Sequence, residues 1–210
     1  MKKRIYLLRH GETDYNKQRK VQGRRIDAPL NEKGRRQAQA FYEHYKHLEV
    51  ELCAHSGLVR TRQTISGFID QGYPVFQSKG FDELDYGLWE GQSMAGSFQE
   101  EFVQLMGDWD EGQLAKSAPE GETPLNVMKR QKEAFADLMK RPESTVLLCM
   151  HSRAIRILLC WLQCVDLSEM SQWGSENTGL TILEIEQGEE LKANVLTFNS
   201  TEHISAQMGN

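Results

Sequence analysis

The chain has 210 residues, 39% hydrophobic, 26% charged and 9% aromatic, proportions that exclude a wholly disordered or fibrous protein. A chain of this length buries roughly 70% of its unfolded surface, enough for a core without metal or disulfide staples. Twenty-five Lys and Arg against 30 Asp and Glu give a net charge of −5, which offers no global attraction to nucleic acid or an anionic membrane.

One domain spanning 1–210 is expected from the length. Residues 4–9 read as a short apolar strand, and the polar, Gly-containing stretch 10–29 as a loop. Over 31–48 the positions Ala38, Phe41, Tyr42 and Tyr45 recur at helical spacing. A second strand is predicted at 50–54, a helix over 58–70, and an edge strand at 74–77, which Pro74 opens. The stretch 92–122 breaks the rhythm; it is longer than most structureless loops, carries a candidate helix at 97–106, and is expected to be a lid insertion. Thr123 is a good N-cap with Pro124 at the first helical position, and Leu125, Met128, Phe135, Leu138 and Met139 continue that helix. Residues 145–150 are the most strand-like of the chain and 155–162 read as a buried helix. Two closing strands, 179–186 and 191–198, flank Gly188, and the polar 199–210 is expected to fray. This alternation implies an α/β fold: three layers, α/β/α, around a mostly parallel central sheet.

Cys53 and Cys149 fall in apolar runs and read as buried thiols of a reducing compartment. Cys160 and Cys164 have the spacing of half a metal site, but no second ligand pair accompanies them, so no metal is expected. The basic Met1-Lys2-Lys3-Arg4 precedes an apolar run too short for a signal peptide. No stretch approaches the ~20 apolar residues of a membrane span. A cytoplasmic protein with neither membrane nor nucleic acid as partner is expected, and homodimerisation stays open.

Ligands of open α/β sheets bind beyond the carboxyl ends of the strands. Here the first strand delivers Arg9-His10-Gly11-Glu12-Thr13, the second His55-Ser56 and then Arg60 and Arg62, and the strongest one His151-Ser152-Arg153. Two imidazoles with guanidinium forks suit a tetrahedral dianion. A neutral His can attack phosphorus, and fixed positive charge around the equatorial oxygens does the rest without a metal. Glu83 is the best-placed acid to protonate a departing alkoxide.

At these residues the chain resembles the histidine phosphatases, the phosphoglycerate-mutase-like superfamily. Arg9-His10-Gly11-Glu12-Thr13 is similar to its signature, which places His10 as the phosphorylated nucleophile, and Asn16 matches an asparagine on the phosphate. Gln22-Gly23 with Asp27-Ala28-Pro29-Leu30-Asn31 resembles the next block and implies substrate contacts for Gln22 and Gly23. The block around Ser56-Gly57 implies Arg60 as the second phosphate-binding arginine, Glu83 with Tyr86-Gly87 the proton donor, and His151 with Ile155-Arg156 the second histidine. Asn199-Ser200-Thr201-Glu202-His203 resembles a tail element. The chain departs from the family where Gly-Gly often follows the second histidine: it has Ser152-Arg153, of which Ser152 still offers a backbone N–H to phosphate.

His10, Glu83 and His151 are thus the expected catalytic residues, with Arg9, Asn16, Arg60 and Ser152 on the phosphate. Arg62, His44 and His47 read as solvated or structural, His55 as structural, Trp89 and Trp109 as core, and Arg153 as equally pocket or surface. The leading reading is a metal-independent phosphomonoester hydrolase, without cofactor, acting through phosphohistidine on a small phosphorylated metabolite. A phosphoglycerate mutase is the alternative, and a non-catalytic phospholigand-binding module the third. Between 92 and 123 stand seven acidic residues and one basic, Lys116, a poor cover for the second phosphate a mutase must hold; hydrolysis is therefore expected over isomerisation.

Overall fold

A computed structural model describes residues 2–188 and 191–204. Its strands are β1 (Lys2–Arg9), β2 (Leu52–His55), β3 (Val75–Gln77), β4 (Thr145–Met150), β5 (Leu180–Gln187) and β6 (Leu191–Ser200), in one sheet ordered β3-β2-β4-β1-β5-β6. The first four run parallel; β5 and β6 close one side antiparallel. β1 and β4 pair at the centre, Leu7 against Leu148 and Arg9 against Met150. Their buried runs, Ile5 to Leu8 and Val146 to Met150, are what a strand covered on both faces requires.

Among the described residues the helices are α1 (Asp14–Lys17), α2 (Glu32–Tyr45), α3 (Val59–Thr64), α4 (Ser66–Ile69), α5 (Ser97–Asp110), α6 (Pro124–Met139) and α7 (Ser152–Leu162). The strand pleat sorts the core between two faces. Ile5, Leu7, Leu148 and Met150 pack with Phe135 and Leu138 of α6 and Ile155 and Leu158 of α7. Tyr6, Leu8, Leu147 and Cys149 pack with Phe41 and Tyr45 of α2 and Phe68 of α4. Three layers result, as the alternation of elements implies.

Several boundaries differ from the sequence reading. The helix expected over 58–70 is broken at Ile65. The hydroxyl of Thr64 donates back to the Arg60 carbonyl at 2.7 Å and accepts the Gly11 N–H at 3.0 Å, so this turn serves the β1 loop rather than a longer helix. The predicted loop 10–29 contains α1, whose capping box joins Thr13 and Asn16. The second strand sits at Leu52–His55 rather than 50–54. The stretch 92–122 carries α5 and is packed down: Trp109 is 1% exposed, its indole N–H donates to the Lys116 carbonyl at 2.9 Å, and it joins a cluster with Ile157, Cys160 and Met170.

The expected fraying fails at Asn199–Ile204; residues 205–210, and part of the predicted Gly188 turn, lie outside the described residues. His203 is 1% exposed and edge-on to Phe41, with Nε2 3.0 Å from the Thr178 hydroxyl. That hydroxyl already donates to the Asn177 carbonyl, so His203 donates from Nε2. Thr178 has φ +55°, an unfavourable conformation for a β-branched residue, and contacts on either side hold it there.

Burial pushes the His203 imidazole down to about 4, with His44 adding to the effect. Below pH 6.5 the unfolded chain takes up a proton that folded His203 refuses, so stability falls as pH drops toward 4. The slope from this residue is at most about 1.4 kcal/mol per pH unit. Urea midpoints of the wild type and His203→Gln between pH 7 and 4.5 should show a shallower slope in the variant; equal slopes would remove His203 as the source.

Candidate active site

β1 ends where its last peptide hands over to His10, 4% exposed. His10 Nδ1 lies 2.7 Å from the Gly11 carbonyl, which can only accept, so Nδ1 carries the proton and Nε2 keeps its lone pair. Burial and the neighbouring Arg60 and Arg9 charges hold the imidazole well below the ordinary histidine value, hence neutral. The loop tolerates no bulk, because a Cβ on Gly11 would stand 2.7 Å from the Gly34 carbonyl at the start of α2. Arg9 donates from Nη1 to the Ser175 carbonyl, and Asn177 Nδ2 donates to the His10 carbonyl at 2.9 Å. The Thr178 loop pinned by His203 therefore holds the His10 loop from the side.

His151 stands beneath, its ring 5.2 Å from that of His10. Arg60 Nε donates to its Nδ1 at 3.2 Å, so its proton sits on Nε2, 2.8 Å from the Ser56 hydroxyl. Burial first, then Arg60, keeps His151 well below the usual range as well. Arg60 is wholly buried; Nη1 donates to the Ile26 carbonyl and Nη2 to the Gly23 carbonyl. Burial lowers the Arg60 guanidinium to about 10, leaving it charged at neutral pH.

Glu83 comes from the loop after a 3-10 turn, Lys79–Phe81. Its carboxylate accepts the N–H groups of Arg153 at 3.1 Å and Ala154 at 2.9 Å, and so caps α7, whose N-cap His151 offers no side-chain bond. Arg130 of α6 fixes the Glu83 loop. It donates to the carbonyls of Gly80, Asp82 and Glu83, each at 2.9 Å, and bidentately to Glu122.

These elements enclose a cavity of about 150 Å³ whose walls include Arg9, His10, Asn16, Gln22, Glu83 and Ser152. Two buried donors on this wall, Arg9 Nε and Gln22 Nε2, have no acceptor among the described residues. Arg60, His151 and Gly23 do not line it: the first two form a charged and polar floor under His10, and Gly23 serves through its carbonyl on Arg60. A Cβ on Gly23 would meet Glu90 Oε1 at 2.2 Å. His55 is buried with Nδ1 on the Ser56 carbonyl, Arg62 is exposed, and Arg153 lines the cavity.

The sequence reading missed Lys20 and Arg156 on the wall and the holding contacts of Arg130, Ser175 and Asn177. It also misjudged the acidic stretch. Glu122 pairs with Arg24 and Arg130, Glu120 with Arg25 and Asp108 with Lys116, while Glu100, Glu101, Asp110 and Glu111 are exposed. From that stretch Met94 and Phe102 reach the cavity, so the carboxylates of 92–123 do not set its charge. Among the described residues no three His, Cys, Asp or Glu gather as a metal site.

The model of the histidine phosphatase superfamily (branch 1) matches residues 5–198. The chain belongs to this superfamily. The histidine phosphatase is 35% identical over 161 residues to a probable phosphoglycerate mutase of Cronobacter sakazakii, covering 74% of this chain and 72% of the relative. It is 25% identical over 203 residues to phosphoserine phosphatase 1 of Hydrogenobacter thermophilus, covering 96% and 94%. A mycobacterial glucosyl-3-phosphoglycerate phosphatase, solved with VO3, superposes with a TM-score of 0.83 at 25% identity, over 95% of this chain and all of that one. Membership makes this chain a phosphoryl-transfer enzyme, and a neutral imidazole beside two unsatisfied donors, one of them cationic, is physically suited to that chemistry.

Because Arg130 spends three N–H donors on carbonyls of the Glu83 loop and two on Glu122, Arg130→Met leaves three carbonyls without this donor and Glu122 with only Arg24 and the Asp85 N–H. The variant should lose about 2–4 kcal/mol in urea unfolding and lose activity with it. An unchanged midpoint would show that the clamp is dispensable.

Proposed function

We propose that this histidine phosphatase hydrolyses a small phosphomonoester through a phosphohistidine at His10, as a single domain over 1–210. The observation that carries the reading is the pair of buried, unsatisfied donors, Arg9 Nε and Gln22 Nε2, beside the free lone pair of His10 Nε2. Burying a donor without an acceptor costs about 1–3 kcal/mol, a cost that bound phosphoryl oxygens would remove. Arg9, Asn16, Gln22 and the Ser152 N–H would take those oxygens, while Arg60 and His151 supply positive charge and support from beneath.

Nε2 of His10 attacks phosphorus, the P–O ester bond breaks, and the leaving alkoxide takes a proton from the Glu83 carboxyl. Water then attacks the phosphohistidine with Glu83 as base, the P–N bond breaks, and orthophosphate leaves. A cavity of about 150 Å³ lies below the roughly 300–1,000 Å³ of pockets for drug-sized ligands, which points to a small metabolite. Buried free thiols at Cys53, Cys149 and Cys160 favour a reducing compartment such as the cytoplasm. No helix among the described residues is long and apolar enough to cross a membrane.

Mutase activity is the second reading. It is favoured by the surplus of cations on the cavity wall, where Arg9, Lys20, Arg153 and Arg156 stand against Glu83.

Rapid quench with a labelled aryl phosphate should trap an acid-labile, alkali-stable phosphoryl group that His10→Ala lacks; label retained on the variant would refute the assignment. With 3-phosphoglycerate and catalytic 2,3-bisphosphoglycerate, phosphate release should outrun formation of 2-phosphoglycerate. Faster isomerisation would make the enzyme a mutase. Chelation should leave the rate unchanged, because arginine and histidine already bring the charge a metal would supply.

A further inference from the structure

We infer that Arg153, with Arg156 one turn further along α7, selects substrates that carry a second anionic group beside the phosphoryl. The inference rests on the phosphomonoester reading of the cavity but concerns a different part of it. Both arginines line the wall with Glu83 and Arg9. Among the described residues neither has a carboxylate in ion-pairing distance, although Arg4, Arg24, Arg25, Arg36, Arg130 and Arg141 all do.

Arg153 is held by neutral groups. Its guanidinium lies 5.4 Å from the centre of the Trp109 ring and touches Met106 Sδ, with Tyr86 alongside. A guanidinium stacked on an indole uses its face; one edge donor of Arg153 meets the Met106 thioether, a weak acceptor, and the remaining donors suit a planar acceptor. Packing on the buried Trp109 also removes much of the freedom a long side chain would lose on binding. The backbone N–H of Arg153 meanwhile holds Glu83, so one residue fixes both the acid and the far end of the pocket.

The charge balance points the same way. Arg153 and Arg156 repel one another, and burial together with that repulsion pushes the Arg156 guanidinium down. A phosphoryl dianion on Arg9, Asn16 and Gln22 leaves this second pair uncompensated. In so small a cavity a carboxylate or second phosphate must lie within a few bonds of the first, so the substrate class is a short phosphorylated acid or a short bisphosphate.

The test compares wild type with Arg153→Met, which keeps an unbranched side chain on Trp109 and removes the charge. Substrates are phosphoglycolate and 3-phosphoglycerate (carboxylates), 2,3-bisphosphoglycerate (a second phosphate) and glycerol 1-phosphate (neither). Wild type should prefer one or both anionic kinds. The variant should raise KM for them roughly 10–100-fold more than it does for glycerol 1-phosphate, the range for a charge-assisted hydrogen bond. The preferred arm names the second group. An equal loss on every substrate, or no wild-type preference, overturns the inference. Calorimetry with phosphonoacetate against ethylphosphonate reads the same site without turnover. Arg153-dependent preference for phosphonoacetate in a chain that hydrolyses nothing would sustain the inference and sink the hydrolase reading. Hydrolysis without that preference would do the reverse.

Discussion

Arg60 carries its charge with no exposure to solvent, held by the carbonyls of Gly23 and Ile26 and by Nδ1 of His151. Taking such a charge out of water costs several kcal/mol unless its donors are met, and carbonyl dipoles and an imidazole meet them here. Much of the site follows from this arrangement. The chain at 23–26 turns its Gly23 and Ile26 carbonyls onto Arg60, in a space where Glu90 and the Leu84 carbonyl leave no room for a Cβ at position 23. His151 must accept at Nδ1, which fixes its proton on Nε2 and its bond to Ser56. His10, above this charge, stays neutral. A positive floor under a neutral imidazole can attract an anion without protonating that imidazole.

Around that floor the parallel strands do the positioning. β1, β2 and β4 point the same way, so their carboxyl ends deliver His10, Ser56 and His151 to one edge of the sheet. The antiparallel β5 and β6 contribute differently. The loop entering β5 clamps Arg9 and the His10 carbonyl, and the chain leaving β6 turns back to hold that loop through His203. Glu83 arrives from a loop that no strand supports, and Arg130 replaces that missing support with three hydrogen bonds to its carbonyls, itself held by Glu122.

What was legible in the sequence was local. The continuous apolar runs of β1 and β4, the Thr123-Pro124 start of α6 and the histidines just past strand ends all express short-range rules. The illegible parts depend on distant partners. Arg9 and Ser175 are 166 residues apart and Asn177 reaches His10 over 167, so no spacing reveals them. Thr64 ends its helix because Gly11, far away in sequence, needs an acceptor. The carboxylates of 92–123 were countable, but their direction was not: Trp109 packs inward, Met94 and Phe102 reach the cavity, and the acids face solvent or basic side chains.

The proton that orients His10 rests on the carbonyl of the very next residue. Many orienting partners of catalytic histidines are side chains, which a single codon change can delete. Here the partner belongs to the main chain and exists whatever residue follows, provided the backbone keeps its path. The aim of the nucleophile is therefore inherited with the loop rather than with any one side chain. Side chains of the pocket wall, Arg153 among them, can therefore be exchanged without disturbing the orientation of the His10 ring.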